Sequence, residues 1–210
     1  MCFYSFAVRP LAFLFFLLLT PLFSRAATDS AILDEMNLAR TQPQAYAEIV
    51  AGRMRALPGA DERCVAEAVA FLRRQRPLEP LQAANGLSMS ARDHVADQSA
   101  TGDIGHRGSH GGTPWSRIAR WGQWTGRAGE NISYGYSDAR TIVITLIVDQ
   151  GVPDRGHRKN IFCRDFKVAG AATGTHPVYG AMCVIDFAGG FVDKGEKVAM
   201  AAPMWRDDGW

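Results

Sequence analysis

The chain has 210 residues, 47% of them hydrophobic, with 23 lysines and arginines against 21 acids. That balance excludes a disordered polar segment and a basic nucleic-acid binder, and no internal repeat or low-complexity tract is visible. The length fits one domain able to bury a core without staples.

Residues 1–26 read as a targeting segment. Arg9 precedes an apolar run over residues 11–23, broken only by Thr20 and Pro21, and Ser24-Arg25-Ala26 offers small residues for cleavage before Ala27. The run is shorter than the ~20 residues of a spanning helix, and Cys2 precedes it, so it is no lipid-attachment cysteine. The mature chain is expected to be secreted or periplasmic, without a transmembrane segment, and monomeric. Removing the signal takes two arginines and no acid, leaving 23 − 2 = 21 basic against 21 acidic residues. Neither nucleic acid nor an anionic membrane surface is therefore an expected partner.

Asp29 or Ser30 caps a first helix with Ile32, Leu33, Met36 and Leu38 in a loose stripe. Pro43 suits the first turn of a second helix that buries Tyr46, Ile49, Val50 and Met54 and stops at Pro58-Gly59. Asp61 caps a third, through about Gln75, with Val65, Val69 and Leu72 inward. Residues 76–86, with Pro77 and Pro80, read as extended. The next helix, residues 87–101, packs Leu87, Ala91 and Val95. It also carries Asp93, His94 and Asp97; the two aspartates lie one turn apart and read first as a solvated acidic face, second as a metal pair.

Gly102 breaks that helix. Thr113-Pro114 then opens a short helix, residues 115–121, expected to bury Trp115, Ile118 and Ala119. Ser137 or Asp138 caps a segment, residues 139–149, that is apolar nearly all round and rich in β-branched residues, which by local preference argues for a strand. Residues 168–175 and 178–188 read as a β-hairpin with His176-Pro177 at an exposed turn. Residues 191–210 carry few apolar anchors and are expected to be a loose extension.

Between Gly105 and Phe162 histidines and acids are set among glycines: Gly105-His106, Gly129-Glu130-Asn131-Ile132, Asp149, and Gly156-His157-Arg158-Lys159-Asn160-Ile161. Imidazole and carboxylate recur where metals bind or protons move, and glycine-flanked, turn-like sequence is where such sites are assembled. In this order these motifs resemble the CAP superfamily, the cysteine-rich secretory, antigen five and pathogenesis-related proteins, in its bacterial secreted branch. Gly105-His106 with the following Gly-Gly-Thr-Pro-Trp-Ser-Arg-Ile resembles the first-histidine segment. Ala128-Gly129-Glu130-Asn131-Ile132 resembles the "GEN" signature, and residues 156–161 resemble the second-histidine motif.

The resemblance covers residues 28–190 and implies an α+β fold, a three-layer α-β-α sandwich with a small antiparallel sheet, so that residues 139–149 become a buried helix. The domain is placed at residues 27–190. It implies a cleft tetrad of His106, Glu130, Asp149 and His157, with Asn131 bonding the loop that holds Glu130. Relatives from plants and animals carry a tryptophan where Leu146 stands and a glutamate where Asp149 stands, whereas the bacterial branch often lacks an acid there. Asp149 closes a helix, where its charge opposes the macrodipole unless a partner compensates. Among the other histidines, His110 competes with His106 for the first-histidine role.

Two imidazoles with Glu130 make a candidate divalent-cation set, His106, His157 and Glu130, best matched to zinc. Acid–base chemistry without metal is the other option. No His-Glu-x-x-His and no Gly-x-Ser-x-Gly occurs. Trp115, Trp121, Trp124, Tyr134 and Tyr136 read either as core or as the wall of an apolar groove. Of the mature cysteines, Cys64 reads as a buried thiol, while a Cys163–Cys183 disulfide would close a loop of about twenty residues and contribute roughly 3 kcal/mol. The expected function is binding of a small-molecule, lipid or peptide ligand, with hydrolysis of peptides or cell-envelope material as the alternative.

Overall fold

The computed structural model describes residues 29–55 and 57–195. The signal expected over residues 1–26 lies outside them, as do residues 196–210 of the expected extension. In chain order the elements are α1 (Asp29–Thr41), α2 (Pro43–Met54), α3 (Glu62–Arg74), β1 (Gln82–Ala83), α4 (Asn85–Thr101), α5 (Pro114–Trp121), β2 (Gly122–Tyr134), α6 (Ala139–Val148), α7 (Gly156–Ile161), β3 (Val168–His176) and β4 (Gly180–Asp193).

Helix starts follow their capping chemistry. Asp61 accepts from the Arg63 and Cys64 amides, Asp138 accepts from the Thr141 amide, and Thr113 and Ser116 form a reciprocal capping box around Pro114. Gly102 closes α4 in the left-handed region at φ 76°, where a side chain would be strained. The β-branched α6 is helical because every side of it is covered: Ile142, Val143, Ile144, Leu146, Ile147 and Val148 are all buried. That packing outweighs a local preference on the order of 1 kcal/mol.

The sheet runs β1-β3-β4-β2. All its pairs are antiparallel except β1 with β3, a two-residue parallel edge beside the antiparallel body. Alternation along β4 sorts the two faces. Cys183, Ile185 and Phe187 join the core built with α1, α2, α3, α6 and α7. Met182, Val184 and Ala188 turn instead to α4 and α5. The result is the expected α-β-α sandwich. Gly170 lets α4 lie flat on β3, since a Cβ there would run into the Ser88 amide and Leu87.

Several expectations need correction. The segment carrying Glu130 is not a turn but the middle of β2, whose glycines had disguised its strand character. Strand β4 continues to Asp193, paired with Gly122, so residues 191–193 belong to the sheet. His176 is buried rather than exposed: its Nε2 meets the Asp103 carbonyl at 3.0 Å and its ring packs on Tyr134 and Tyr179. Trp115 faces outward at 45% exposure, and Arg117 takes the inward position.

Cys163 and Cys183 are both free thiols, not a disulfide. The segment after Cys163 reaches β4 where the Lys167 amide donates to the Ala188 carbonyl. That point is 188 − 183 = 5 residues along the strand from Cys183, about 17 Å at the strand rise.

Candidate functional site

The four side chains of the expected tetrad resolve into two histidine–carboxylate pairs. His106 Nδ1 lies 2.7 Å from Glu130 Oε1, and His157 Nδ1 lies 2.6 Å from Asp149 Oδ1. The pairs are separated by the alternation of β2, an edge strand. Glu130 faces the α5 side, where Arg117 Nη2 donates to its Oε2 at 2.6 Å. Asn131, the next residue, faces the α7 side, where its Nδ2 donates to the His157 carbonyl at 3.1 Å and its Oδ1 accepts from Asn160 at 2.8 Å. One dipeptide on one strand therefore ties both histidine segments to the sheet edge. Asn131 bonds the segment that holds His157, not the one that holds Glu130.

Glu130 is buried against Arg117, with 1% and 5% of their side chains exposed, while the His106 ring is 53% exposed. The segment before His106 is anchored from beneath. His94 Nε2 and Gln98 Nε2 both meet the Gly105 carbonyl, at 2.8 and 2.7 Å, and Tyr134 Oη accepts from the Gly105 amide at 2.9 Å. Burial pushes the His94 imidazole below its ordinary value, so the ring is neutral and donates from Nε2. Arg117 adds two bonds to the His106 carbonyl.

Asp149 ends α6 in the left-handed region at φ 56°, which aspartate tolerates better than most residues. Its Oδ2 accepts from the amides of His157 and Arg158, so the charge caps the first turn of α7 and simultaneously fixes the His157 ring. Arg158 reaches back to the Ile147 and Val148 carbonyls at the end of α6 and to Glu67. The glutamate, bridging Arg155 and Arg158, is held down at about 2.

In each pair the Nδ1–H is directed to a carboxylate and, among the described residues, Nε2 has no protein partner, the arrangement that fixes an imidazole's tautomer and aims its second nitrogen outward. Among the described residues no hydroxyl or thiol bonds either Nε2, and no group of three or more His, Cys, Asp or Glu side chains is disposed to hold a metal ion. Glu130, which the expected set groups with His106 and His157, gives one oxygen to His106 and the other to Arg117. Asp93 and Asp97 form no metal pair either: Asp93 accepts from Arg120 and Trp121, Asp97 from Ser109.

Arg117 and Gln98 were not among the expected site residues, Tyr134 was expected only as core or groove wall, and His94 only beside the Asp93–Asp97 pair. Arg117 lies three residues after Pro114 and beside Ile118, and His94 three after Ala91 and beside Val95. Each sits on the inward helical stripe, a position that marks a buried polar group with a specific partner. A groove of about 570 Å3 between α2 and α3, floored by Met54, Val65 and Val69, includes neither His106 nor His157.

The family profile of the cysteine-rich secretory proteins, CAP, matches residues 35–187. Two solved structures are similar. An extracellular protein containing an SCP domain from Bacillus anthracis gives a TM-score of 0.44 at 22% identity, over 58% of this chain and 37% of that one. An outer surface protein from Borrelia burgdorferi gives 0.45 at 15% identity, over 71% of this chain and 93% of that one. The chain thus spans well under half the length of the Bacillus anthracis protein. No curated protein matches it.

Proposed function

The chain belongs to the cysteine-rich secretory protein (CAP) family, and we propose that it is an exported protein that binds a polar, peptide-like ligand at the cleft edged by His106 and His157. The observation that carries this reading is the pair of imidazoles whose Nδ1 atoms are held by carboxylates. Each then offers an Nε2 lone pair at the surface, an acceptor for the N–H or O–H groups of an extended peptide. Export rests on residues 1–26, and no described helix is long and apolar enough to cross a membrane. Two imidazoles without a third protein ligand fall short of the usual zinc set, so no step is assigned to a metal.

Ring-proton NMR of His106 and His157 during titration with peptide pools tests the proposal. Both rings should shift on binding, and His157→Ala should weaken it at least tenfold. Shifts confined to another surface would remove the cleft as the site. Calorimetry of chelator-treated protein with zinc provides a separate arm, in which a heat present in the wild type and absent in His157→Ala would make the cation the ligand.

Hydrolysis is the second reading, favoured by the same pairs. A histidine whose Nδ1–H is held by a carboxylate is placed to take a proton from water at Nε2. Turnover of peptide or peptidoglycan substrates that is abolished by Glu130→Gln would replace binding with catalysis.

A further inference from the structure

Beneath Glu130 the molecule buries a second carboxylic acid that the cleft does not use. Asp186 stands directly opposite Glu130 in the pairing of β2 with β4, among Met182, Val184 and Ala188 on the strand face turned to α4 and α5. It is fully buried, and among the described residues neither oxygen has a hydrogen-bond partner. An ionised carboxylate only accepts and needs several donors, whereas the neutral acid needs one acceptor.

The neighbours of Asp186 decide between the two forms. From β2 comes Glu130, from α5 Arg117 and from α4 Ser90; His94, one turn beyond Ser90, lies near Glu130 and Arg117. Its partner on β3 is Gly170, which has no side chain. The one cation, Arg117, is already matched by Glu130. His94 adds no charge, because burial holds it neutral. A second anion at Asp186 would therefore face Glu130 with nothing to balance it, and like charges so placed do not both ionise. In keeping with that geometry, burial and the adjacent Glu130 charge push the Asp186 carboxyl well above the usual carboxylate range. The Ser90 hydroxyl, itself buried and unpartnered, is an acceptor for the acid proton.

We propose that Asp186 is a positioning residue for the His106–Glu130 pair: as the neutral acid lodged between Ser90 and Glu130, it leaves Glu130 the only anion of the buried group. Glu130 is then turned wholly to His106 Nδ1 and Arg117, which holds the His106 ring in one orientation. The proposal rests on reading that cleft as the functional site.

The test is NMR of the ligand-free, isotopically labelled protein, so it does not depend on any ligand being found. At pH ~6, two units above the ordinary aspartate midpoint of about 3.9, the Asp186 carboxyl carbon should still resonate as the neutral acid. An ionised resonance there overturns the proposal and needs no variant to observe. Asp186→Asn, neutral and nearly isosteric, should keep the Nδ1–H tautomer signature of His106. Asp186→Ala should lose or mix it. Native signatures in both variants would make Asp186 a bystander, and loss in Asp186→Asn would show that the charge was needed. If Asp186→Ala does not fold, the wild-type carboxyl resonance and the Asn variant still decide. A ligand-free result as expected, followed by failure of every peptide titration, would retain the positioning role and reject only the ligand.

Discussion

Asp149 grips His157 twice, by the ring and by the backbone. Its Oδ1 lies 2.6 Å from Nδ1 and its Oδ2 2.9 Å from the amide of the same residue. The junction of α6 and α7 thus joins a helix cap to a ring orienter in one carboxylate. Asp149→Ala loses the cap, typically about 1–2 kcal/mol, and leaves a residue less suited to the left-handed conformation. Asp149→Asn tolerates that conformation and keeps one oxygen, so its stability loss should be smaller. Both should disturb the His157 tautomer. Urea denaturation with ring-nitrogen NMR measures the two effects separately; equal stability losses would mean the cap oxygen contributes nothing.

The Arg117–Glu130 pair is a buried ion pair, and breaking one side strands the other. Arg117→Ala should destabilise by about 3–5 kcal/mol. Adding Glu130→Gln should recover part of that loss, since it removes the stranded charge. A double variant no more stable than the single one would assign the loss to packing. Urea midpoints at neutral pH make the comparison.

One substitution should act with opposite signs at two glycines. At Gly170 a methyl would run into the Ser88 amide and Leu87, so Gly170→Ala should cost about 1–3 kcal/mol or more through overpacking. Gly52 lies within α2 with nothing near its missing Cβ. Gly52→Ala should stabilise by about 0.5–1 kcal/mol. Thermal melts of the two variants decide, and a destabilised Gly52→Ala would contradict the packing described for α2.

His94 makes the fold sensitive to acid. Its folded value is lowered by burial, so below the ordinary midpoint of about 6.5 the unfolded chain takes up a proton that the folded chain refuses. The stability that neutral His94 contributes is complete above that midpoint and is lost as pH falls toward the folded value. The wild-type urea midpoint should drop between pH ~7 and ~5, and His94→Asn, neutral at both, should drop less. Equal drops would place the acid sensitivity elsewhere.

The helices of this protein, most of their caps and the residues of its two histidine motifs were legible in the chain itself. Capping and helical stripes depend on residues three or four apart, and the motif order around His106, Glu130 and His157 survives as a linear pattern. Only the tertiary structure decided the rest. It turned the β-branched α6 into a helix by covering every side, and it made a strand of the glycine-rich segment around Glu130 by pairing it with β4. It sent Glu130 and Asn131 to opposite faces of that strand and resolved the four side chains into two histidine–carboxylate pairs. It also brought Asp186 under Glu130 and Arg117 beside it, and kept Cys163 apart from Cys183. Each of these depends on contacts between residues distant in sequence, where burial and pairing outweigh local preference by more than the local pattern records.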